Sequence, residues 1–328
     1  MITLTRRRLL AAGGWTAATL PIPRAGFAQA AYPSRTIRVI VPFGPGGVTD
    51  VLARLLSAEI ARDFAQPVVV ENMPGGTGLI GTGAVAKSVP DGHTILFTSN
   101  AHTINPALRR QMPFDSVKDF TPLVLLAAAP NMLVVRSDSP IKSVAEYIAA
   151  AKSNPGEINY ATSGVGTSLH IAGEQFSQIT GAKFNHVPYA ASNQSVQAVL
   201  GGHVVSSWSA VNAALPFVKA GRMRPLAVAS DKRTDFAPEV PTFAELGING
   251  MKSETWLAAL GPAGLPAPVA AKLAAELQML IGRADMKQKI LALGAEPVGV
   301  ELETFRAQIR DEIEMYTRIA RAGDIKAE

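Results

Sequence analysis

The chain has 328 residues, 48% of them hydrophobic and 17% charged, with no cysteine. That length suits two domains of ordinary size, the composition excludes a disordered chain, and the lack of cysteine excludes disulfides, thiolate zinc sites and cysteine nucleophiles. The formal charge of +5 sits in the first segment: without the four arginines of residues 1–30, 31 basic residues become 27 against 26 acidic ones, a net of +1, so no basic nucleic-acid surface is expected.

Residues 1–30 read as an export signal. Arg6, Arg7 and Arg8 form a basic start, residues 9–22 are apolar, and Ala28, Gln29 and Ala30 make an A-x-A cleavage pattern. The stretch from Thr5 to Leu10 also resembles the twin-arginine signal, with an ordinary secretory signal as the alternative. The apolar run is short and broken by Gly and Pro, and no later run reaches the roughly 18 residues of a membrane span. A soluble mature chain beginning near Ala31 is expected.

From Thr36 onward strand-like and helix-like runs alternate. Strands are expected at 37–41, 68–71 and 94–98, and helices at 51–64 and 79–88, a pattern of βαβ units on a parallel sheet. Leu52, Leu55, Leu56, Ile60 and Phe64 recur at helical spacing and give the first helix one buried face. Residues 121–136 form a long apolar run broken by Pro130, read as a strand crossing between domains. A second βα series follows, with helices at 144–152, 169–179, 195–200 and 213–219 and strands at 158–160, 184–187, 204–207 and 226–230. Residues 238–250 are rich in Pro and Gly and read as a connector, 255–260 as a strand crossing back, and 267–281, 286–293 and 302–319 as closing helices. The expected division is residues 31–130 plus 252–328 as one domain and 131–251 as the other.

Two loops share one context. Residues 42–50 (PFGPGGVTD) and 163–168 (SGVGTS) each follow a strand and open a helix. Unpaired N–H groups and the helix dipole make such a terminus an anion cradle, and two of them suggest one anionic ligand held from both sides. Neither loop carries Lys or Arg, so neutral dipoles must hold the charge. Residues 72–78 (NMPGGTG) form another Gly-rich turn, and Ser99 and Asn100 follow a strand expected to end at the same sheet edge.

Other chemistry is missing. There is no G-x-G-x-x-G after a strand, no P-loop and no G-x-S-x-G. None of the five histidines is paired at i+3 or i+4, and no H-E-x-x-H occurs. His170 lies one turn into the helix after the second loop. It reads first as a tie between helix and loop, with ligand contact as the alternative. Ser168 and His170 are two apart on a helix and face different ways, which weakens an exported enzyme acting through that pair.

The ordered motifs resemble the extracytoplasmic solute receptors of tripartite tricarboxylate transporters, the Bug family, over nearly all of the mature chain. They are the opening strand through Phe43; Pro45, Gly46, Gly47 and Asp50; Asn72, Pro74 and Gly75; residues 90–94 (PDGHT) and 105–108 (NPAL); Gly164 to Glu174; Val187, Pro188 and Tyr189; Gly201 and Gly202; Pro241, Thr242, Glu245 and Gly247; and residues 294–297 (GAEP). The resemblance implies an α/β fold of the periplasmic binding protein type II kind, two α/β domains with a ligand cleft between them. It implies a periplasmic receptor for a small carboxylate, delivering to the membrane permease subunits of the transporter, monomeric, with no cofactor, metal or catalytic residue. The candidate ligand-binding residues are Phe43, Gly44, Pro45, Gly46, Gly47 and Asp50 on the first loop, Gly76 and Thr77 on the next, and Ser99 and Asn100. From the second domain they are Ser163, Gly166, Thr167, Ser168, His170, Tyr189, Ser207 and Ser209. The chain departs from the family pattern at residues 190–194 (AASNQ), 205–209 (VSSWS) and 254–258 (ETWLA). Loss of an acid and gain of Ser, Asn and Gln suggest a ligand without an ammonium group; a di- or tricarboxylate, aliphatic or aromatic, is expected, with a dicarboxylate preferred. A ligand sensor for a membrane receptor is the remaining alternative.

Overall fold

The computed structural model describes residues 32–189, 191–300 and 302–326; the export signal expected at 1–30, and Ala190, lie outside the described residues. In chain order the elements are β1 (Ile37–Val41), α1 (Val48–Phe64), β2 (Val68–Asn72), a 3-10 turn (Gly76–Gly78), α2 (Leu79–Ala86), β3 (Thr94–Ser99), α3 (Ala101–Leu108), β4 (Phe120–Arg136), α4 (Val144–Ser153), β5 (Asn159–Thr162) and α5 (Ser168–Thr180). They continue with β6 (Asn185–Pro188), α6 (Ser192–Leu200), β7 (Ser206–Ala210), α7 (Val211–Lys219), β8 (Met223–Val228), β9 (Glu254–Pro262), α8 (Ala267–Gly282), α9 (Ala284–Ala292), β10 (Glu296–Val300) and α10 (Leu302–Ala322).

The sheet order is β2-β1-β3-β9-β4-β7-β5-β6, with β8 and β10 paired to β4. The expected parallel pairs form: β1 with β2 and β3, and β5 with β6 and β7. The two crossing strands run antiparallel to their neighbours. β4 carries 17 residues. Its first part pairs with β9, from Phe120 to Pro130, and with β10. From Asn131 its partners become β7 and β8. Pro130 has no N–H to give to a ladder, and the exchange of partners falls beside it.

β4 is apolar over most of its length because both its faces are covered there. Leu133 and Val135 enter a cluster with Tyr147, Phe176, Trp208 and Phe243. Met132 and Val134, on the opposite face, enter one with Val196, Val199, Val211 and Val228. A third cluster gathers Ile40, Leu96, Phe120, Trp256, Leu260 and Phe305. α10 is tied to this last region through Glu312, which accepts from Trp256 Nε1 (2.9 Å), Thr103 Oγ1 (2.8 Å) and Gln308 Nε2 (2.8 Å). Burial raises the Glu312 pKa, and those three donors oppose the rise.

Two elements depart from the expected pattern. α3 forms although Pro106 lies inside it. A proline leaves the carbonyl four residues back unpaired. That carbonyl, of His102, accepts from Ser116 Oγ at 2.9 Å. β10 forms although Pro297 and Gly299 interrupt its five residues, and its register on β4 shifts between Pro297 and Val300. Among the described residues no helix is long and apolar enough to cross a membrane.

Candidate functional site

The turns after β1, β3, β5, β6 and β7 each lead into a helix, and the first residues of those five helices line one cavity of about 750 Å³. It receives Gly46, Gly47 and Val48 from α1, Asn100, Ala101 and Ile104 from α3, and Thr167, Ser168 and Leu169 from α5. Ala191, Ser192 and Asn193 come from α6, and Ala210, Asn212 and Ala213 from α7. The first N–H groups of a helix have no partner within it, and the dipole makes that end positive. Among the described residues of the wall none is ionisable.

The first loop is held from behind. Asp50 is 2% exposed and does not line the cavity. Its carboxylate accepts from Gly46 N–H (2.9 Å), Arg54 Nε (3.1 Å) and Asn72 Nδ2 (2.9 Å). Asn72 Nδ2 also reaches Phe43 O (3.1 Å), and Arg54 donates to Asn72 Oδ1 (2.8 Å). Burial raises the Asp50 pKa, but the donors of Arg54, Gly46 and Asn72 outweigh it and hold the carboxyl below the usual range. Gly46 adopts φ 82°, a left-handed conformation that favours glycine. Gly47 caps α1 with no side-chain bond.

The second loop is held in a corresponding way by a neutral histidine. Gly166, at φ 76°, donates its N–H to His170 Nδ1 at 3.2 Å. Thr167 caps α5, accepting from His170 N–H (3.3 Å) and donating to Gly164 O (2.9 Å). The His170 ring stacks on His186 with centroids 3.8 Å apart. His186 Nε2 in turn meets Thr162 Oγ1 at 2.6 Å. Burial, then the neighbouring His186, pull the His170 pKa down to about 3, and burial pulls His186 to about 4. His102, the buried second residue of α3, has Nε2 on Ser116 O at 2.8 Å and is also pulled by burial to about 4.

These shifts set a pH dependence of stability. A histidine whose folded pKa lies below the unfolded value of about 6.5 is neutral in the fold and takes up a proton on unfolding. Stability is therefore undiminished above pH 6.5 and falls as the pH drops from there towards 4. His102 alone accounts for up to about 3 kcal/mol over that interval. Denaturant titrations at pH 7.5 and pH 5 are expected to show the loss, and His102→Gln, which keeps a donor for Ser116 O, should reduce it. Equal losses in the two chains would remove His102 from the account.

Of the candidate residues, Phe43, Gly46, Gly47, Thr77, Ser99, Asn100, Ser163, Gly166, Thr167 and Ser168 line the cavity. Gly44 and Pro45 are exposed and, like Gly76, lie off its wall. Asp50 and His170 face away from it, each holding a glycine N–H of its loop. Tyr189 is half-buried against the Met132 cluster and gives its backbone N–H to Thr162 O. Ser207 is fully buried, donating to Ala161 O (3.1 Å), and Ser209 bonds Ala210 O (3.1 Å). Both belong to the sheet. Ala191, Ser192, Asn193, Thr255 and Leu257, from two of the segments that depart from the family pattern, also line the cavity, whereas sequence reasoning missed Ala101 and Ile104 of α3, the N-terminus of α7, Ala129 and the 293–295 turn.

The described residues contain no group of three His, Asp or Glu that could hold a metal. Ser168 Oγ is bonded to Thr255 Oγ1 (3.0 Å) and His170 is turned to His186, so the two do not form a nucleophile and base. The family model of the tripartite tricarboxylate transporter family receptor (TctC) matches residues 52–324. The chain belongs to this family. BugT of Bordetella pertussis is 34% identical over 321 residues, 97% of this chain and 98% of BugT. Rpa4515 of R. palustris, solved with adipate, has a TM-score of 0.78 at 32% identity over 90% of this chain and 99% of that one. MatC from Rhodopseudomonas palustris, solved with malate, has a TM-score of 0.73 at 29% identity over 88% and 99%. The periplasmic binding protein BugD has a TM-score of 0.75 at 28% identity over 90% and 100%. The TctC fold here is thus the mixed α/β fold of periplasmic binding proteins, and the family is one of solute receptors, not enzymes.

Proposed function

We propose that this TctC-family chain captures a small dicarboxylate in the cavity and delivers it to the membrane subunits of a tripartite tricarboxylate-type transporter. One observation carries the reading: five helix N-termini meet in a cavity whose described wall has no ionisable side chain. Such a wall favours a ligand that brings its own negative charge. Hydrogen bonds to a charged acceptor contribute roughly 1.5–3 kcal/mol each, and bridging waters can serve where direct contacts do not reach. Between the cradles lie Ile104, Leu169, Leu257 and Leu293, which suit a hydrocarbon or aromatic spacer. The adipate and malate of Rpa4515 and MatC are dicarboxylates of this kind.

In this reading residues 31–130 plus 252–328 and residues 131–251 are two domains closing on the ligand, and β4 and β9 connect them at Pro130 and Glu254. Closure requires contacts that favour the closed state, and a ligand held by both loops supplies them. The chain works as a monomer in the periplasm after export through residues 1–30. A thermal-shift screen of mono-, di- and tricarboxylates tests the function. At one hundred times its dissociation constant a ligand adds about 2.7 kcal/mol of stability. A shift with dicarboxylates supports the proposal, and no shift with any carboxylate overturns it.

A further inference from the structure

The 294–297 segment makes contacts that ligand capture by the two loops does not use. Gly294 follows α9 at φ 75°, with its N–H on Leu291 O (2.9 Å) and the Ala295 N–H on Ile290 O (3.3 Å). A helix C-cap accounts for that conformation. It does not account for what lies against the bare Cα. A side chain on Gly294 would overlap Asn212 Cβ and lie 2.9 Å from Asn212 Cα and Cγ. Asn212, the second residue of α7, also donates from Nδ2 to Leu293 O at 3.1 Å. Two residues downstream, Glu296 Oε1 accepts from Thr234 Oγ1 at 2.9 Å, and Thr234 is 3% exposed. The turn thus grips the 131–251 part of the chain at two points, and Leu293, Gly294, Ala295 and Asn212 all line the cavity.

We infer that Gly294 is a positioning residue for ligand binding: its missing side chain lets the N-terminus of α7 settle on the turn and brings the first N–H groups of α7 to the ligand carboxylate. This inference rests on reading the cavity as a carboxylate site. Contact of the turn with α7 joins residues 131–251 to the C-terminal part of the chain, as the Ser168–Thr255 contact (3.0 Å) does from α5. A methyl group at residue 294 holds α7 away, and an N–H···O bond lengthened by about an ångström is no longer a hydrogen bond.

The test compares Gly294→Ala with Gly247→Ala. Gly247 has φ 79° and no atom within 4 Å of the added methyl, so it carries the same left-handed strain without the neighbour. The probe is whichever of adipate or malate the unaltered chain binds more tightly by calorimetry. Gly294→Ala should bind it roughly 10- to 100-fold more weakly, the loss of one charge-assisted hydrogen bond, and should contract less on ligand addition in small-angle scattering. Gly247→Ala should lose stability but keep its affinity. Asn212→Gly in the Gly294→Ala background removes the overlapping Cβ and Cγ, leaves the 2.9 Å approach to the Cα of residue 212 to be relieved by a small shift, and should recover part of the affinity. If Gly294→Ala does not fold, the double variant carries the test: recovery of fold and affinity supports the contact, and folding without affinity overturns it. Gly294→Ala binding as tightly as the unaltered chain also overturns it. If the unaltered chain binds neither probe nor any other dicarboxylate, the carboxylate reading itself falls, and this inference with it.

Discussion

Asp50→Ala is expected to abolish carboxylate binding and to lower stability by about 1–3 kcal/mol, although Asp50 does not line the cavity. The Gly46 N–H (2.9 Å) and Asn72 Nδ2 (2.9 Å) both end on its carboxylate. Removing the acceptor leaves the Gly46 N–H without its partner, while Asn72 Nδ2 keeps Phe43 O (3.1 Å), so the loss is that of about one donor, roughly 1–3 kcal/mol. Arg54 is half exposed, so water takes over its charge and it adds little. With Gly46 released, the loop loses the orientation of its free N–H groups, and the ligand loses one cradle. Asp50→Asn should do nearly as much harm. An amide has one acceptor oxygen and would turn an N–H towards one of the donors. The measurement is paired calorimetry and denaturant unfolding on the two variants. Near-normal affinity in a folded Asp50→Ala chain would show that the first loop does not hold the ligand.

Ala101→Asp is expected to separate stability from binding. Ala101 is the first residue of α3, a helix with no acid in its first turn, and it lines the cavity. A carboxylate there complements the helix dipole and stabilises the free protein by about 0.3–1 kcal/mol. The same carboxylate repels an anionic ligand. At about 5 Å and an effective dielectric of about 20 the repulsion is about 3 kcal/mol, more than a hundredfold in affinity. The melting temperature should therefore hold or rise while binding disappears. A variant that keeps full affinity for a dicarboxylate would place the ligand away from the α3 terminus.

A cage of helix termini has a functional advantage over a cage of cations. A receptor that hands its ligand to a permease must release it, and a buried ion pair broken on one side costs 3–5 kcal/mol. In the proposed closure the dipolar contacts come from two helix termini on one side (α1 and α3) and three on the other (α5, α6 and α7), and would be lost in steps as the cleft opens. Part of the neutral wall was legible in the sequence, since both Gly-rich loops lack Lys and Arg.

The frame of this arrangement was legible because it rests on local patterns. Helical spacing from Leu52 to Phe64 marked α1, and the shared strand–glycine–helix context marked both loops. The tie from Gly166 N–H to His170 was also expected from the position of that histidine one turn into α5. Other features depend on contacts distant in the chain. Asp50 resembles a ligand residue in its motif, and only Asn72, on β2, reveals that it faces inward. Ser207 and Ser209 alternate with Trp208 along β7, yet both hydroxyls are taken up within the sheet. α3 was hidden by Pro106, whose orphaned carbonyl partner is supplied by Ser116. The 293–295 turn is held at the site by the pairing of β10 with β4 and by Asn212 of α7, contacts distant in the chain.

The central claim is that ligand charge is held by neutral helix ends, and calorimetric titration with matched acids and esters tests it most directly. The mature chain would be titrated at pH 7.5 with a series of linear and aromatic dicarboxylates and with their dimethyl esters. At least one diacid is predicted to bind saturably at one per chain, and its diester, uncharged and two methyl groups larger, to bind at least a hundredfold more weakly. Equal affinity for diacid and diester, or no binding by any diacid, would contradict the account.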